Sequence, residues 1–112
     1  MASYSFLVLS NAVDGREDEY NDWYDNRHLP DVLAIPGFVS AQRLVLADTQ
    51  RAAPPYPWRY MAVYTIETDD LKATLELLKA RAGTDAMPMS GAFAPGVAFV
   101  YRPIAELTAP GG

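Results

Sequence analysis

Short apolar segments alternate with polar, helix-favouring segments along the chain, and this alternation predicts six elements of secondary structure. Four segments rich in β-branched and aromatic residues predict strands. Two segments, the second with apolar residues three to four positions apart, predict helices. The strands are expected at residues 4–10, 38–47, 59–67 and 97–102, and the helices at 17–27 and about 71–82.

Prolines, glycines and capping residues set the expected ends of the helices. Asp14 is a suitable N-cap for the first helix. Pro30 has no backbone N–H, so a kink or a new short turn is expected there rather than a continuous helix. The second helix is expected to be capped by Thr68 or Asp69 and to end at Gly83.

The order of elements is strand, helix, strand, strand, helix, strand, which predicts an α+β fold. With right-handed crossovers, this order gives a four-stranded antiparallel sheet with both helices on one face, the ferredoxin-like βαββαβ arrangement. At 112 residues the chain is expected to form one domain, residues 1–107, followed by a flexible C-terminal tail at 108–112.

The predicted strands are apolar on both faces, although two helices can cover only one face. The first strand places Tyr4 and Phe6 on one side and Leu7 and Leu9 on the other. Monomers seldom leave a large apolar face open to water. We therefore expect a second copy of the chain to cover this face, sheet against sheet, in a two-fold homodimer. The alternative is that side chains of the long loops fold over it.

Composition narrows the classes of partner and of chemistry. The net charge of -5 argues against nucleic acid and anionic membranes as partners, because both attract basic surfaces. The chain has no cysteine and one histidine, so no metal site is expected, and it has no glycine-rich phosphate loop. No cofactor is expected. The absence of a basic, apolar leader and of a long apolar segment predicts a cytoplasmic protein.

The segment from Tyr20 to Phe38 carries the candidate chemistry, because it contains His28, the only histidine, and one of the two tryptophans. On a helix, Tyr20, Tyr24 and His28 are four residues apart and share one face. A face of rings that ends in an imidazole predicts one wall of a small-molecule pocket. Trp23 lies in the neighbouring row and is expected either to contact substrate or to pack in the core.

His28 is the candidate general acid–base, because the unperturbed pKa of imidazole is about 6.5. Asp25 lies one helical turn earlier, where it either holds the second ring nitrogen and favours the imidazolium or remains a solvated surface residue. The phenol of Tyr24 is placed to donate to a developing enolate oxygen. These three catalytic candidates suit proton abstraction next to a carbonyl group.

The motif Trp23-Tyr24-x-x-x-His28-x-Pro30, followed by Ile35-Pro36-Gly37-Phe38 and then Arg43, resembles the EthD-like branch of the dimeric α/β-barrel superfamily. The resemblance is concentrated in residues 20–44. It implies a ferredoxin-like subunit, a dimer of facing sheets, and a pocket between each sheet and its own helices. Relatives include cofactor-free cyclases, decarboxylases, isomerases, small monooxygenases and some haem enzymes, so the fold by itself does not assign a reaction.

The resemblance also implies roles for particular residues. The motif histidine matches His28, which is expected to point into the pocket, and the arginine of the second strand matches Arg43. Arg43 either binds a substrate carboxylate or pairs with an acidic residue. Tyr64 and Tyr101, on strand faces, are further candidates for substrate binding. Met87 and Met89 are expected in a loop over the pocket mouth.

Three functions compete at this point. The first is a cofactor-independent enzyme of the isomerase, cyclase or decarboxylase type, which uses His28 on a small aromatic or polyketide-like carbonyl compound. The second is a non-catalytic module that binds or senses a small ligand in the same cavity. The third is a cofactor-free oxygenase of phenols. A cavity lined by His28 and at least one tyrosine hydroxyl favours the enzyme.

Overall fold

The computed structural model describes residues 1–111 and has the predicted α+β architecture. The strands are β1 (Ala2–Ala12), β2 (Phe38–Val45), β3 (Tyr60–Thr68) and β4 (Phe93–Tyr101). The helices are α1 (Glu17–Trp23), α2 (Leu29–Leu33) and α3 (Leu71–Arg81), and a π-helical turn (Tyr24–His28) joins α1 to α2. The four strands form one antiparallel sheet in the order β2-β3-β1-β4, so the predicted ferredoxin-like fold is confirmed.

The first helical region follows the prediction in outline, because a new short helix, α2, begins beside Pro30, but the widening of the turn before it was not predicted. It continues to Leu33 by widening into the π-helical turn, in which the N–H of Leu29 donates to the carbonyl of Tyr24, five residues back. Pro30 then lies in the first turn of α2, where its missing N–H costs no hydrogen bond.

The strand ends are predicted less well than the strands themselves. β1 is longer than predicted by two residues at each end, β2 stops two residues earlier at Val45, and β3 begins and ends one residue later. β4 begins at Phe93, four residues before the predicted residue 97. Its pairing with β1 shifts at Gly96, where a Cβ would collide with the indole of Trp58 and the carbonyl of Leu9. Pro95 is tolerated because β4 is an edge strand.

The sheet has one covered face and one open face. On the covered face, aromatic and aliphatic side chains of the central strands pack with the buried residues of the helical region. Ser10 on this face bonds the hydroxyl of the fully buried Tyr20 at 2.7 Å. The pairing register places apolar side chains of all four strands on the other face, away from the helices, and the most prominent of these are Leu7, Leu9, Leu44, Met61, Val63, Phe99 and Tyr101.

The end of the chain lies outside the sheet. Residues 102–111 belong to no helix or strand and are exposed. The predicted domain at 1–107 and the flexible tail at 108–112 remain predictions, and residue 112 of that tail lies outside the described residues.

The N-cap of α3 is Asp70 rather than Thr68 or Asp69. The carboxylate of Asp70 accepts a hydrogen bond from the N–H of Ala73 at 3.0 Å. Thr68 instead accepts from the hydroxyl of Thr74 at 2.9 Å, which joins the end of β3 to the helix. Both Asp69 and Asp70 have side chains that can cap a helix, but Asp70 is the residue that directly precedes the first residue of α3, Leu71.

We expect replacement of Asp70 by alanine to reduce the free energy of unfolding by about 1 kcal/mol, because the first turn of α3 loses an acceptor. The adjacent Asp69→Ala is the matched control and is expected to change it by less than about 0.5 kcal/mol, as is usual at exposed sites. Urea unfolding followed by circular dichroism measures both. Equal losses in the two variants would contradict the assignment of the cap.

Candidate active site

A cavity of about 180 Å³ lies between the covered face of the sheet and the helical layer. His28 and Tyr64 are its polar wall residues. The remaining walls are apolar side chains from β1, β4, the helices and the loop before β4, namely Phe6, Val8, Val32, Leu78, Ala82, Met87, Met89 and Ala98. Of these, Ala82, Met89 and Ala98 are exposed, so the mouth of the cavity lies beside them.

His28 is held by packing rather than by hydrogen bonds. Its ring stacks on Trp23 with 4.6 Å between centroids and meets the edge of Tyr24 at 5.0 Å. Nδ1 is buried and has no hydrogen-bond partner within residues 1–111. Burial lowers the pKa of His28 to about 4, and the carboxylate of Asp31 opposes this shift. The imidazole is therefore neutral at pH 7, and the imidazolium that a contact with Asp25 would have favoured is not the resting form.

Of the two roles considered for Asp25, contact with His28 is not formed, because Asp25 lies in the widened π-helical turn. In the widened turn, residues three positions apart no longer lie one above the other. Asp25 points outward with 56% of its side chain exposed, and its carboxylate accepts a hydrogen bond from Nη1 of Arg43 at 2.8 Å. Tyr24 and His28, four apart, are both buried, as the sequence predicted.

Tyr64 is the phenol that faces the cavity. It is 1% exposed, and its buried hydroxyl lies beside the phenol of Tyr24 without a hydrogen bond of good geometry to any group in the described chain. Burial and the adjacent phenol of Tyr24 raise the pKa of Tyr64 well above its ordinary value. Burial also raises the pKa of Tyr24 to about 12. Both phenols are therefore protonated at neutral pH and can act as hydrogen-bond donors.

The other candidate residues lie around the cavity rather than in its walls. Tyr20 bonds Ser10 in the core, and Tyr101 lies on the open face of the sheet, away from His28. Trp23 supports the imidazole, and its indole N–H donates to the carbonyl of Pro88 at 3.0 Å. That bond fixes the loop that carries Met87 into the cavity wall.

Arg43 lies in a separate groove next to the cavity. Its guanidinium carbon is 4.4 Å from the ring centre of Tyr24, 5.2 Å from that of Tyr20 and 5.4 Å from that of Tyr60. Of the two roles expected for Arg43, pairing with an acidic residue is present, through Asp25.

Sequence reasoning missed most of the apolar walls. Phe6 and Val8 alternate on the face of β1 that the helices cover, and Leu78 belongs to the apolar stripe of α3. Period-two and period-3.6 patterns identify such residues as core, but they do not show where the core leaves a space.

The described residues contain neither a metal-binding cluster nor a helix suited to cross a membrane. No three His, Asp or Glu side chains within residues 1–111 lie close enough together to hold a metal ion. None of the helices in that part of the chain combines the length and the apolar character needed to cross a membrane.

Two solved structures are similar over nearly the whole chain. One is an EthD-like protein from Ralstonia eutropha JMP134, with a TM-score of 0.61 and 20% sequence identity; the alignment covers 96% of this chain and 97% of that chain. The other is an ethyl tert-butyl ether D (EthD) family protein from Bacillus halodurans C-125, with a TM-score of 0.51 and 13% sequence identity; the alignment covers 93% of this chain and 100% of that chain. The chain has the fold of the EthD-like proteins. The resemblance carried by the Trp23–Arg43 motif is thus confirmed at the level of the EthD-like fold. No family model and no curated protein matches the sequence.

The low pKa of His28 makes the stability of this EthD-like fold dependent on pH. Between its unfolded value of 6.5 and its folded value of about 4, the unfolded chain binds a proton that the folded chain does not. Stability therefore falls as the pH falls through this interval and stops falling, for this group, below about 4. We expect wild type to lose about 2–3 kcal/mol more than His28→Gln between about pH 7.5 and about pH 4.5.

Urea unfolding of both proteins at the two pH values measures this difference. The glutamine variant is the control for the carboxylates, which titrate over the same range in both proteins. Equal losses would mean that the imidazole is not buried in its neutral form.

Proposed function

We propose that the protein is a cofactor-independent enzyme in which His28 acts as a general base on a small carbonyl compound bound in the cavity. The observation that supports this is that His28 and Tyr64, which both line one apolar cavity, each carry a buried polar atom without a protein hydrogen-bond partner, Nδ1 and the hydroxyl. Buried polar groups usually have hydrogen-bond partners. Wall residues with unpartnered polar atoms are typical of a site whose partner is a ligand.

The size and polarity of the cavity limit the substrate class. An apolar cavity of about 150 Å³ accommodates a benzene molecule, so about 180 Å³ suits a single ring with a small substituent. A neutral imidazole, a protonated phenol and apolar walls favour an uncharged guest. The proposed substrates are therefore one-ring aromatic or cyclic carbonyl compounds, and larger polyketide-like compounds require the mouth at Met89 to widen.

The two polar groups have complementary roles in this proposal. Neutral His28 accepts a proton from the carbon next to the carbonyl group, and the electron pair moves onto the carbonyl oxygen. Tyr64 donates a hydrogen bond to that oxygen as it gains charge. The imidazolium and the enolate form together and stabilise each other in a site of low polarity. Return of the proton to a different atom gives isomerisation. Attack of the enolate carbon on a second carbonyl group of the substrate, with the proton passed from His28 to the new alkoxide oxygen, gives cyclisation.

We expect the protein to exchange the α-proton of a bound one-ring ketone for deuterium, because exchange requires proton abstraction and no later step. One-ring ketones that raise the melting temperature are selected first, and exchange in D₂O is then followed by proton NMR. His28→Gln should slow exchange by a factor on the order of 100 to 10,000. Tyr64→Phe should slow it by a factor on the order of 100, because the enolate loses its donor.

Tyr56→Phe, which removes a phenol hydroxyl from the exposed loop before β3, is the matched control and should leave the exchange rate unchanged. An exchange rate that is the same in wild type and His28→Gln would contradict the proposed base.

A non-catalytic binding module is the second candidate, and one observation favours it. Eight of the ten wall residues are apolar, and no acidic side chain in the described chain bonds His28 to orient it. Such a cavity can hold a ligand without transforming it. Ligands that stabilise the protein but undergo no exchange would support this function.

We also propose that a second copy of the chain covers the open face of the sheet. Phe99, 53% exposed, lies beside Leu7 near the middle of this face, and Met61 and Val63 extend it along β3. A face of this kind can pair with itself across a two-fold axis, which is the commonest arrangement of soluble homo-oligomers. The dimer also agrees with the resemblance to the dimeric α/β-barrel superfamily.

We expect Phe99→Glu to convert a dimer into a monomer, because two carboxylates would be buried against apolar side chains. Light scattering coupled to size exclusion measures the mass. Lys72→Glu, at an exposed position on α3, is the control for an added acidic residue and should remain dimeric. A wild-type mass of one chain would contradict the dimer.

A further inference from the structure

A second space, larger than the His28 cavity, lies next to the outer edge of β2. Its volume is about 540 Å³, and it shares no wall residue with the first cavity. It is lined by Asn21, Asp25, Arg43, Leu44, Val45 and Tyr60. The proposed reaction at His28 makes no use of this groove.

The groove contains a cation that is largely buried and incompletely satisfied. The side chain of Arg43 is 13% exposed, with its guanidinium among the rings of Tyr20, Tyr24 and Tyr60. A guanidinium has five N–H donors. Arg43 donates a hydrogen bond from Nη1 to Asp25 and lies within reach of the Tyr20 hydroxyl, while Nη2 is buried without a partner of good hydrogen-bond geometry in the described chain. Ring faces attract a guanidinium, but they do not replace a charge-assisted hydrogen bond.

The carboxylate that Arg43 holds can be displaced. Asp25 is 56% exposed and meets Arg43 through one oxygen. By contrast, Glu19 engages Arg16 through both oxygens, at 3.1 Å and 2.6 Å. An exposed pair with a single contact contributes little to stability. A free carboxylate that takes the place of Asp25 loses little and gains the two-point contact with the guanidinium that Asp25 does not make.

We propose that this groove is a second ligand site, which binds a small aromatic carboxylate on the guanidinium of Arg43. One carboxylate oxygen replaces Asp25 at Nη1, and a rotation of the guanidinium brings Nη2 to the other oxygen. The ring of the ligand lies against Val45 and the ring of Tyr60, a combination of apolar wall and aromatic face that suits a flat guest. This site takes an anion, whereas the His28 cavity takes an uncharged molecule.

The test uses benzoate as the probe and the full chain at low ionic strength, with affinity measured by isothermal titration calorimetry. Benzamide has the same shape without the charge, and acetate has the charge without the ring. Benzoate is expected to bind at least tenfold more tightly than either compound. Benzamide binding as tightly as benzoate would overturn the proposal.

Two variants act on the site in opposite directions. Asp25→Asn removes the competing carboxylate and should tighten benzoate binding by about two- to fivefold, because an exposed ion pair is weak. Arg43→Gln should abolish binding. Arg51→Gln, in the exposed loop before β3, makes the same change in charge and should bind as wild type does. Asp25 is exposed, so its variant tests the site even if Arg43→Gln fails to fold.

His28→Gln determines which of the two spaces benzoate occupies. This variant should bind benzoate as tightly as wild type does, because His28 is not a wall of the groove. Loss of binding in His28→Gln, or an affinity in Asp25→Asn no higher than that of wild type, would overturn the proposal. These outcomes do not depend on deuterium exchange at His28, so the proposed ligand site and the proposed reaction are tested independently.

Discussion

The arrangement of both candidate sites depends on the proline inside the first helical region. In a regular α-helix, the ring of Pro30 would press against the carbonyl of Asn26, four residues earlier. The chain relieves this conflict by widening the preceding turn, so that Leu29 bonds Tyr24 and the helix continues. Tyr24 and His28 stay buried through the widened turn, whereas Asp25 lies outward. π-helical turns are often found at functional sites, and here one such turn supplies residues to two separate spaces.

Tyr24 forms the partition between these two spaces. His28 packs against it with 5.0 Å between ring centres, and the guanidinium of Arg43 lies 4.4 Å from its ring centre. Its hydroxyl influences Tyr64, whose pKa is raised by burial and by this neighbour, while Arg43 acts in the opposite direction. A ligand that alters the contact of Arg43 with Tyr24 therefore acts on a residue that also contacts the proposed base.

The sequence predicted the order of the strands and helices and the helix face that carries Tyr20, Tyr24 and His28, because both depend on local patterns. Strand composition and element order determine the sheet, and helical spacing brings Tyr20, Tyr24 and His28 to one buried face. The partner of Asp25 could not be predicted in this way. The α-helical spacing placed Asp25 under His28, whereas relief of the conflict at Pro30 changed that spacing and left Asp25 to Arg43.

The sequence also could not predict which of Tyr64 and Tyr101 lies on the sheet face that the helices cover. Both faces of β3 and of β4 are apolar, so alternation does not tell which face the helices cover. The pairing register decides it, because Phe6 opposes Tyr64, whereas Ser5 opposes Tyr101. A cavity is harder still to predict, since it depends on how completely side chains fill the space between layers.

The cavity and the groove differ most in whether they favour a charged ligand, because the cavity walls carry neutral polar groups and the groove contains a guanidinium. The cavity contains a neutral imidazole and a protonated phenol, with no cation in its walls, so a carboxylate entering it would lose its hydration without compensation. The groove contains a guanidinium that already lies among rings and is already mostly dehydrated, so an incoming carboxylate meets a cation whose desolvation is part of the fold. In the proposed reaction, charge arises in the cavity as a pair, a proton on His28 and an enolate beside Tyr64. An anion that arrives from solution has its complement at Arg43, on the other side of Tyr24.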